Sequence, residues 1–291
     1  HKGVFWRELE PVPGEYSFAK LEAWLKAYKG VGIKLWPSIQ VAACDMNGVP
    51  KAPMWMVGKG AWRSGQCAKN GIFVPWDQEY LSALARLADA ISVWIEGLAP
   101  DLRAVLGGIV IPSGGMYGET QLWSCGMEAA LREEFHMTQS EMDARYLVAV
   151  ENHIAAFMGT PAPVMIQLGW RKIDGFLLDG LHGPGSGYVL KWAGLDPTNV
   201  GDGKDAIRED NNAWYQSLLL AAKRDKGMTV GFELGHPDLL KEGNTYVNSR
   251  LENIAGWCGG MDFLAIQGGE TMGGFYGWDG FEALNTSLKE S

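Results

Sequence analysis

Apolar residues recur along this chain with two alternating periods. Short continuous apolar runs, the pattern of strands buried on both faces, alternate with longer stretches of helical spacing. Gly3 to Glu8 reads as a strand. Tyr16 to Tyr28 sets Phe18, Leu21, Trp24, Leu25 and Tyr28 at helical spacing. Ile33 to Val41 is the next strand, and a long loop from Ala42 to Asp77, with Gly, Pro and Trp, follows it. Tyr80 to Leu98 predicts a helix whose apolar stripe is Leu84, Leu87, Ala88, Ile91, Trp94 and Ile95. Val105 to Ile111 predicts a strand running into a glycine-rich stretch, and Ser140 to Met158 another helix. In the second half, strands are predicted at Pro163 to Leu168, Gly187 to Trp192, Thr229 to Leu234 and Phe263 to Gln267. Helices are predicted at Asn212 to Arg224, Tyr246 to Cys258 and Phe281 to Leu288.

Strands that alternate with helices pair in parallel, so the expected class is α/β. The expected architecture is a (β/α)8 TIM barrel. No low-complexity linker divides the chain, which makes residues 1–291 one catalytic domain. Seven strands are visible where a closed barrel has eight. Either the first strand lies before His1 or one strand is hidden in the pattern. A doubly wound open sheet competes, but no GxGxxG follows the first strand.

Charge and composition narrow the partners. The net charge is -9, with charged residues at only 20%, and an acidic surface repels nucleic-acid backbones. No apolar run approaches the roughly 18 residues of a membrane span. The start at His1 implies a trimmed N-terminus; the compartment stays open, with a secreted or periplasmic location slightly favoured. The four cysteines, Cys44, Cys67, Cys125 and Cys258, form no CxxC pair, and histidine is scarce, so no metal site is expected. A Cys44–Cys67 bridge is one arrangement; buried free thiols are the simpler one. Thirteen tryptophans are more than a core of this size needs. Flat apolar sugar faces stack on aromatic rings, which points to a carbohydrate partner.

Barrel enzymes carry their chemistry at the C-terminal ends of strands. Two carboxylates stand there beside glycines: Glu119, after Gly114 to Gly118, and Glu233, between Phe232 and Leu234. Glycosidic hydrolysis typically uses two such groups, one protonated and one ionised, with pKa values pushed apart by their surroundings. A capping or surface role competes for Glu119, and a structural ion pair with Arg7 or Lys191 competes for Glu233. Glu270 is the reserve. Trp6, Tyr117, Trp170 and Trp192 are the strand-end aromatics, with Trp170 and Trp192 the favoured stacking platforms. Glu8, Glu10, Asp45 and Asn47 are candidates to hold sugar hydroxyls; Glu10 precedes Pro11, so anchoring the turn is its alternative role. No cofactor is required.

Several of these residues also carry a resemblance. Trp6-Arg7-Glu8-Leu9-Glu10-Pro11, Gly14-Glu15-Tyr16-Ser17-Phe18 and Gly32-Ile33-Lys34-Leu35 resemble the second barrel repeat of clan A glycoside hydrolases, notably β-galactosidase families 35 and 42. Cys44 to Pro50, Pro53 to Met56, and Pro75-Trp76-Asp77 with Tyr80 continue the likeness, which covers roughly residues 3 to 120. The resemblance implies that the first visible strand is barrel strand two. It places Glu119 and Glu233 after strands four and seven, the clan's acid/base and nucleophile positions in a retaining mechanism. Clan members usually have Asn before the acid/base; here Gly118 stands there, which puts a β-galactoside substrate in doubt. The same two positions resemble those of inverting β-amylases. Two further alternatives are a carbohydrate-binding barrel without catalysis and a barrel aldolase or metal hydrolase, for which Lys191 and His236 are the hints.

Overall fold

The structure is a computed structural model. It describes residues 2–30, 32, 34–42, 49–57, 62–64, 71–113, 120, 127–169, 171–181, 188–195, 206–234 and 260–266, with the backbone alone at residues 2, 62–64, 127, 171–172, 192–195, 206–212, 233–234 and 263–266. Two compact units emerge, Lys2–Leu181 and His182–Ser291.

In the first unit, strands β1 (Lys2–Phe5), β2 (Pro37–Gln40), β5 (Ile109–Val110) and β6 (Val164–Leu168) pair in parallel, in that order. A short antiparallel pair, β3 (Trp62–Ser64) with β4 (Gly71–Phe73), lies in the stretch expected to be loop. The helices are α1 (Trp6–Leu9), α2 (Ala19–Tyr28), α3 (Met54–Val57), α4 (Gln78–Gly97), α5 (Pro100–Arg103), α6 (Met127–Glu134), α7 (Gln139–Phe157) and α8 (Arg171–Gly180). The second unit holds parallel strands β7 (Tyr188–Leu195), β8 (Thr229–Leu234) and β9 (Phe263–Ile266), with α9 (Ala206–Lys226) packed on β7 and β8. All seven strands expected from the apolar runs are present. The expected helices Tyr246 to Cys258 and Phe281 to Leu288 lie outside the described residues, as do all four cysteines.

Helix ends follow local chemistry. Asp77 caps α4: one carboxylate oxygen accepts from the backbone N–H of Glu79 and of Tyr80, both at 2.9 Å. Thr138 and Glu141 form a reciprocal capping box at the start of α7. The two helices then pack on each other through buried stripes, Tyr80, Leu84, Leu87 and Ile91 on α4 and Tyr146, Val150, His153 and Phe157 on α7.

Register sorts the first unit's strands into two unlike faces. Gly3 is level with Ser38, Ser38 with Val110, and Val110 with Met165; two residues on along the same face come Phe5, Gln40 and Gln167. Past Lys2 and Pro37 at its start, the opposite parity is aliphatic: Val4, Ile39, Ile109, Val164, Ile166 and Leu168. An aliphatic face suits covering helices, whereas the mixed face buries Ser38, Gln40 and Gln167. Glycine makes room on it, since a Cβ on Gly3 would stand 2.2 Å from Gln40 Nε2.

Two elements differ from the sequence expectation. The first strand stops at Phe5, not Glu8, because the Glu8 carboxylate accepts the Phe5 N–H at 3.1 Å and starts a helical turn there. The strand expected at Val105 to Ile111 shrinks to two residues. Its N-terminal part is occupied by Gly107 and Gly108, against which the Trp36 indole packs. A Cβ on Gly108 would lie 2.1 Å from the Pro163 carbonyl oxygen, which itself receives the Ile109 N–H. Gly108→Ala is therefore expected to force β5 away from β6 and to cost roughly 3 kcal/mol, read as a lower denaturation midpoint.

Candidate functional site

Among the described residues, the candidates Trp6, Glu8 and Glu10 stand together just past the C-terminal end of β1. Trp6 is fully buried, with ring centroids 6.1 Å from both Phe73 and Tyr80. Its Nε1–H donates to Glu10 Oε2 at 2.8 Å, while Glu10 Oε1 accepts the Gly14 N–H at 2.9 Å. Trp6, read from sequence as a strand-end sugar contact, thus serves as a core anchor. The reason is the helical turn, which rotates it inward onto β4 and α4. Of the two roles open to Glu10 in the sequence, these contacts are those of the turn anchor. The Tyr16 phenol beside it is pushed up to about 12, first by burial and then by the Glu10 charge.

Glu8 is partly exposed. Besides starting the helical turn, it pairs with Lys20 Nζ at 2.8 Å. Arg7 donates to the carbonyls of Val49 and Pro50 and ties the β1 end to the chain that leads into α3. Asp45, Asn47, Tyr117, Glu119, Trp170, His236 and Glu270 lie outside the described residues.

On either side of residues 114–119, the chain is held by buried hydrogen bonds. Before them, Tyr146 Oη on α7 donates to the Ser113 carbonyl at 2.7 Å. After them, the Thr120 N–H donates to the Gln167 carbonyl at the end of β6, at 2.9 Å. Thr120 Oγ1 donates to Asp174 Oδ1 at 2.5 Å and accepts the Gly169 N–H at 2.9 Å; Gly169 N–H also reaches Asp174 Oδ2 at 3.1 Å. Thr120, Gln167 and Asp174 are all buried. Neither Thr120 nor Asp174 stood out in sequence. Asp174 sits in the first turn of a helix, where a carboxylate ordinarily faces water, and only its direct succession to Glu119 distinguishes Thr120.

His153 is buried on α7. Its Nε2 is 3.2 Å from the Pro75 carbonyl oxygen, and its ring meets Tyr80 edge to face with centroids 5.3 Å apart. Burial drives its pKa down to about 4, against the weaker opposing pull of the Pro75 and Pro112 carbonyls. The unfolded chain takes up this proton near pH 6.5 and the folded protein only near 4. The stability that neutral His153 sustains is complete above pH 6.5 and is lost as the pH falls towards 4, with a ceiling of about 3 kcal/mol. His153→Gln is expected to flatten that part of the stability–pH curve, as followed by denaturant unfolding from pH 7 to 4.

In the second unit, Lys191 is fully buried on β7, level with Gly231 on β8. Glu233 lies two residues beyond Gly231 and pairs in register with Ala265 of β9, near the C-terminal end of its strand. Trp192 is level with Phe232, at the opposite parity from Lys191 and Glu233, just before a register shift in β7. Among the described residues, no group of His, Cys, Asp and Glu could hold a metal ion, and no helix is long and apolar enough to cross a membrane.

Parallel strands joined through helices define an α/β protein. No family model matches the chain, and no curated protein matches it. Among solved structures it is similar to endo-glycoceramidase II from Rhodococcus sp., in complex with a cellobiose-like imidazole and, separately, with a five-membered iminocyclitol. Each comparison has 13% identity and a TM-score of 0.53, and covers 91% of this chain and 63% of that one. At that identity the likeness is one of fold, and the chain spans less than two thirds of the length of these structures.

Proposed function

We propose that this protein is a glycoside hydrolase that cleaves glycosidic bonds in an oligo- or polysaccharide, with Glu119 as proton donor and Glu233 as nucleophile of a retaining mechanism. The observation that carries this reading is positional. Glu233 stands near the C-terminal end of β8, and Thr120, the residue directly after Glu119, is bonded to the C-terminal end of β6. Strand ends of this polarity are where α/β barrels hold their chemistry. The fold likeness to an endo-glycoceramidase bound to sugar-like ligands supports the same class. Closure into an eight-stranded barrel acting as one catalytic domain over residues 1–291 belongs to the proposal, as does a β-galactosidase-like substrate.

In this mechanism Glu119 is protonated in the resting enzyme and gives its proton to the leaving oxygen as the bond to the anomeric carbon breaks. Glu233 attacks that carbon as a carboxylate. Lys191 supports this ionisation: a buried ammonium calls for a nearby negative charge, and its position shares a face with Glu233 on the adjoining strand. Water, deprotonated by Glu119, then releases the sugar with its configuration retained. Asp45, Asn47, Glu8, Tyr117, Trp170 and Trp192 are proposed to line the sugar site. No step calls for a metal or organic cofactor.

A panel of aryl glycosides assayed with the parent and with Glu119→Ala and Glu233→Ala tests the reading, with the first-formed anomer identified by proton NMR. Activity in the parent and its loss in both variants is expected. Equal rates in all three would end the assignment, and an inverted first product would replace the nucleophile by a general base. Gly118 favours a second reading, a sugar-binding barrel without catalysis. That reading expects sugar affinity unchanged in Glu119→Gln and no turnover by the parent.

A further inference from the structure

We infer that Thr120 and Asp174 are positioning residues for the general acid, an inference that rests on Glu119 having that role. Thr120 is the first residue after Glu119, and its backbone N–H and its hydroxyl are both fixed. Its N–H continues the hydrogen bonding of the β6 end through the Gln167 carbonyl. Its hydroxyl proton goes to Asp174 Oδ1, and its hydroxyl oxygen takes the Gly169 N–H. Asp174 belongs to α8 and Gly169 to the turn that precedes it. Three consecutive pieces of structure, the strand end, the turn and the first helical turn, thus converge on one threonine.

Burial gives this arrangement its stiffness. Thr120 and Asp174 are both 0% exposed, so water cannot replace a broken bond. A buried carboxylate is costly unless its oxygens accept hydrogen bonds. Asp174 accepts from the Thr120 hydroxyl at Oδ1 and from the Gly169 N–H at Oδ2, an arrangement that resists rotation of Thr120. Ordinary strand-end packing would need neither a hydroxyl nor a carboxylate here, and the neighbouring buried positions Leu168, Ile173 and Leu177 are apolar. The hydroxyl–carboxylate pair therefore fixes the backbone directly after Glu119 against the strand that bears Gln167, which sets where the proton donor can stand relative to the scissile oxygen. Displacement by about 1 Å can cost on the order of 100-fold in rate.

Leaving-group dependence tests the inference, because proton donation matters for a phenyl glycoside and hardly at all for a 2,4-dinitrophenyl glycoside. Thr120→Val and Thr120→Ser are assayed on both substrates beside the parent and Glu119→Ala, with thermal midpoints recorded. Asp174→Asn, which keeps the side-chain shape, carries the test if Thr120→Val does not fold. On the phenyl glycoside, Thr120→Val and Asp174→Asn are expected to lose about 10- to 100-fold in kcat. On the dinitrophenyl glycoside the loss is a few-fold at most, with KM little changed, and the acid-dependent limb of the pH profile shifts. Thr120→Ser stays close to the parent. Equal losses on both substrates, or none, would overturn the positioning role. If Glu119→Ala itself shows no leaving-group dependence, Glu119 is not the acid, and the inference falls with that assignment rather than by its own failure.

Discussion

Glu233→Ala is expected to lower kcat by roughly 10⁴-fold or more, the scale seen when a nucleophile is removed from its working set. That corresponds to at least about 5 kcal/mol of lost transition-state stabilisation. The fold should tolerate the change, because Glu233 sits next to the end of β8 while the pairing to β9 runs through backbone groups. A thermal midpoint near the parent's would therefore accompany the lost turnover. Azide offers a sharper readout. In Glu233→Ala it enters the space of the missing carboxylate and, from a β-glycoside, forms the α-glycosyl azide. In Glu119→Ala it attacks the glycosyl-enzyme and yields the azide of retained configuration. Retained azide from both variants, or from neither, would remove Glu233 from the nucleophile's role.

Trp6→Ala is expected to be the most destabilising single change in the first unit, at about 3–5 kcal/mol. Two costs combine. The indole is fully buried between Phe73 and Tyr80, so its loss leaves a cavity that rigid neighbours close poorly. Its Nε1–H also satisfies Glu10 Oε2, and removing it strands a buried carboxylate oxygen at the turn into Gly14. Trp6→Phe keeps most of the volume but not the donor, so it separates the two costs. A chemical denaturation series should place it between the parent and Trp6→Ala. A Trp6→Ala protein as stable as the parent would contradict the buried anchor.

The strands and long helices were legible because their signals are local. Continuous apolar runs marked all seven parallel strands, and the stripes from Leu84 to Ile95 and through Ser140 to Met158 marked the two helices that pack together. The β3–β4 pair was not legible, since Trp62 to Ser64 and Gly71 to Phe73 are three-residue pieces with no period of their own. Nor was α8, where glycines and a buried aspartate interrupt the helical pattern.

For the candidate site, sequence alone determined which carboxylates follow apolar strands, because side-chain type and strand polarity are both written along the chain. Tertiary structure decided what each neighbour does. Trp6 turns into the core because one carboxylate starts a helical turn, and Asp174 faces inward because Thr120, 54 residues before it, comes to meet it beside the neighbouring Gly169. Such partnerships depend on register and on long-range closure, which no local pattern encodes. Glu119 and Glu233 are candidates by type and place along the chain, whereas the hydroxyl and carboxylate proposed to hold the first of them steady became visible only in three dimensions.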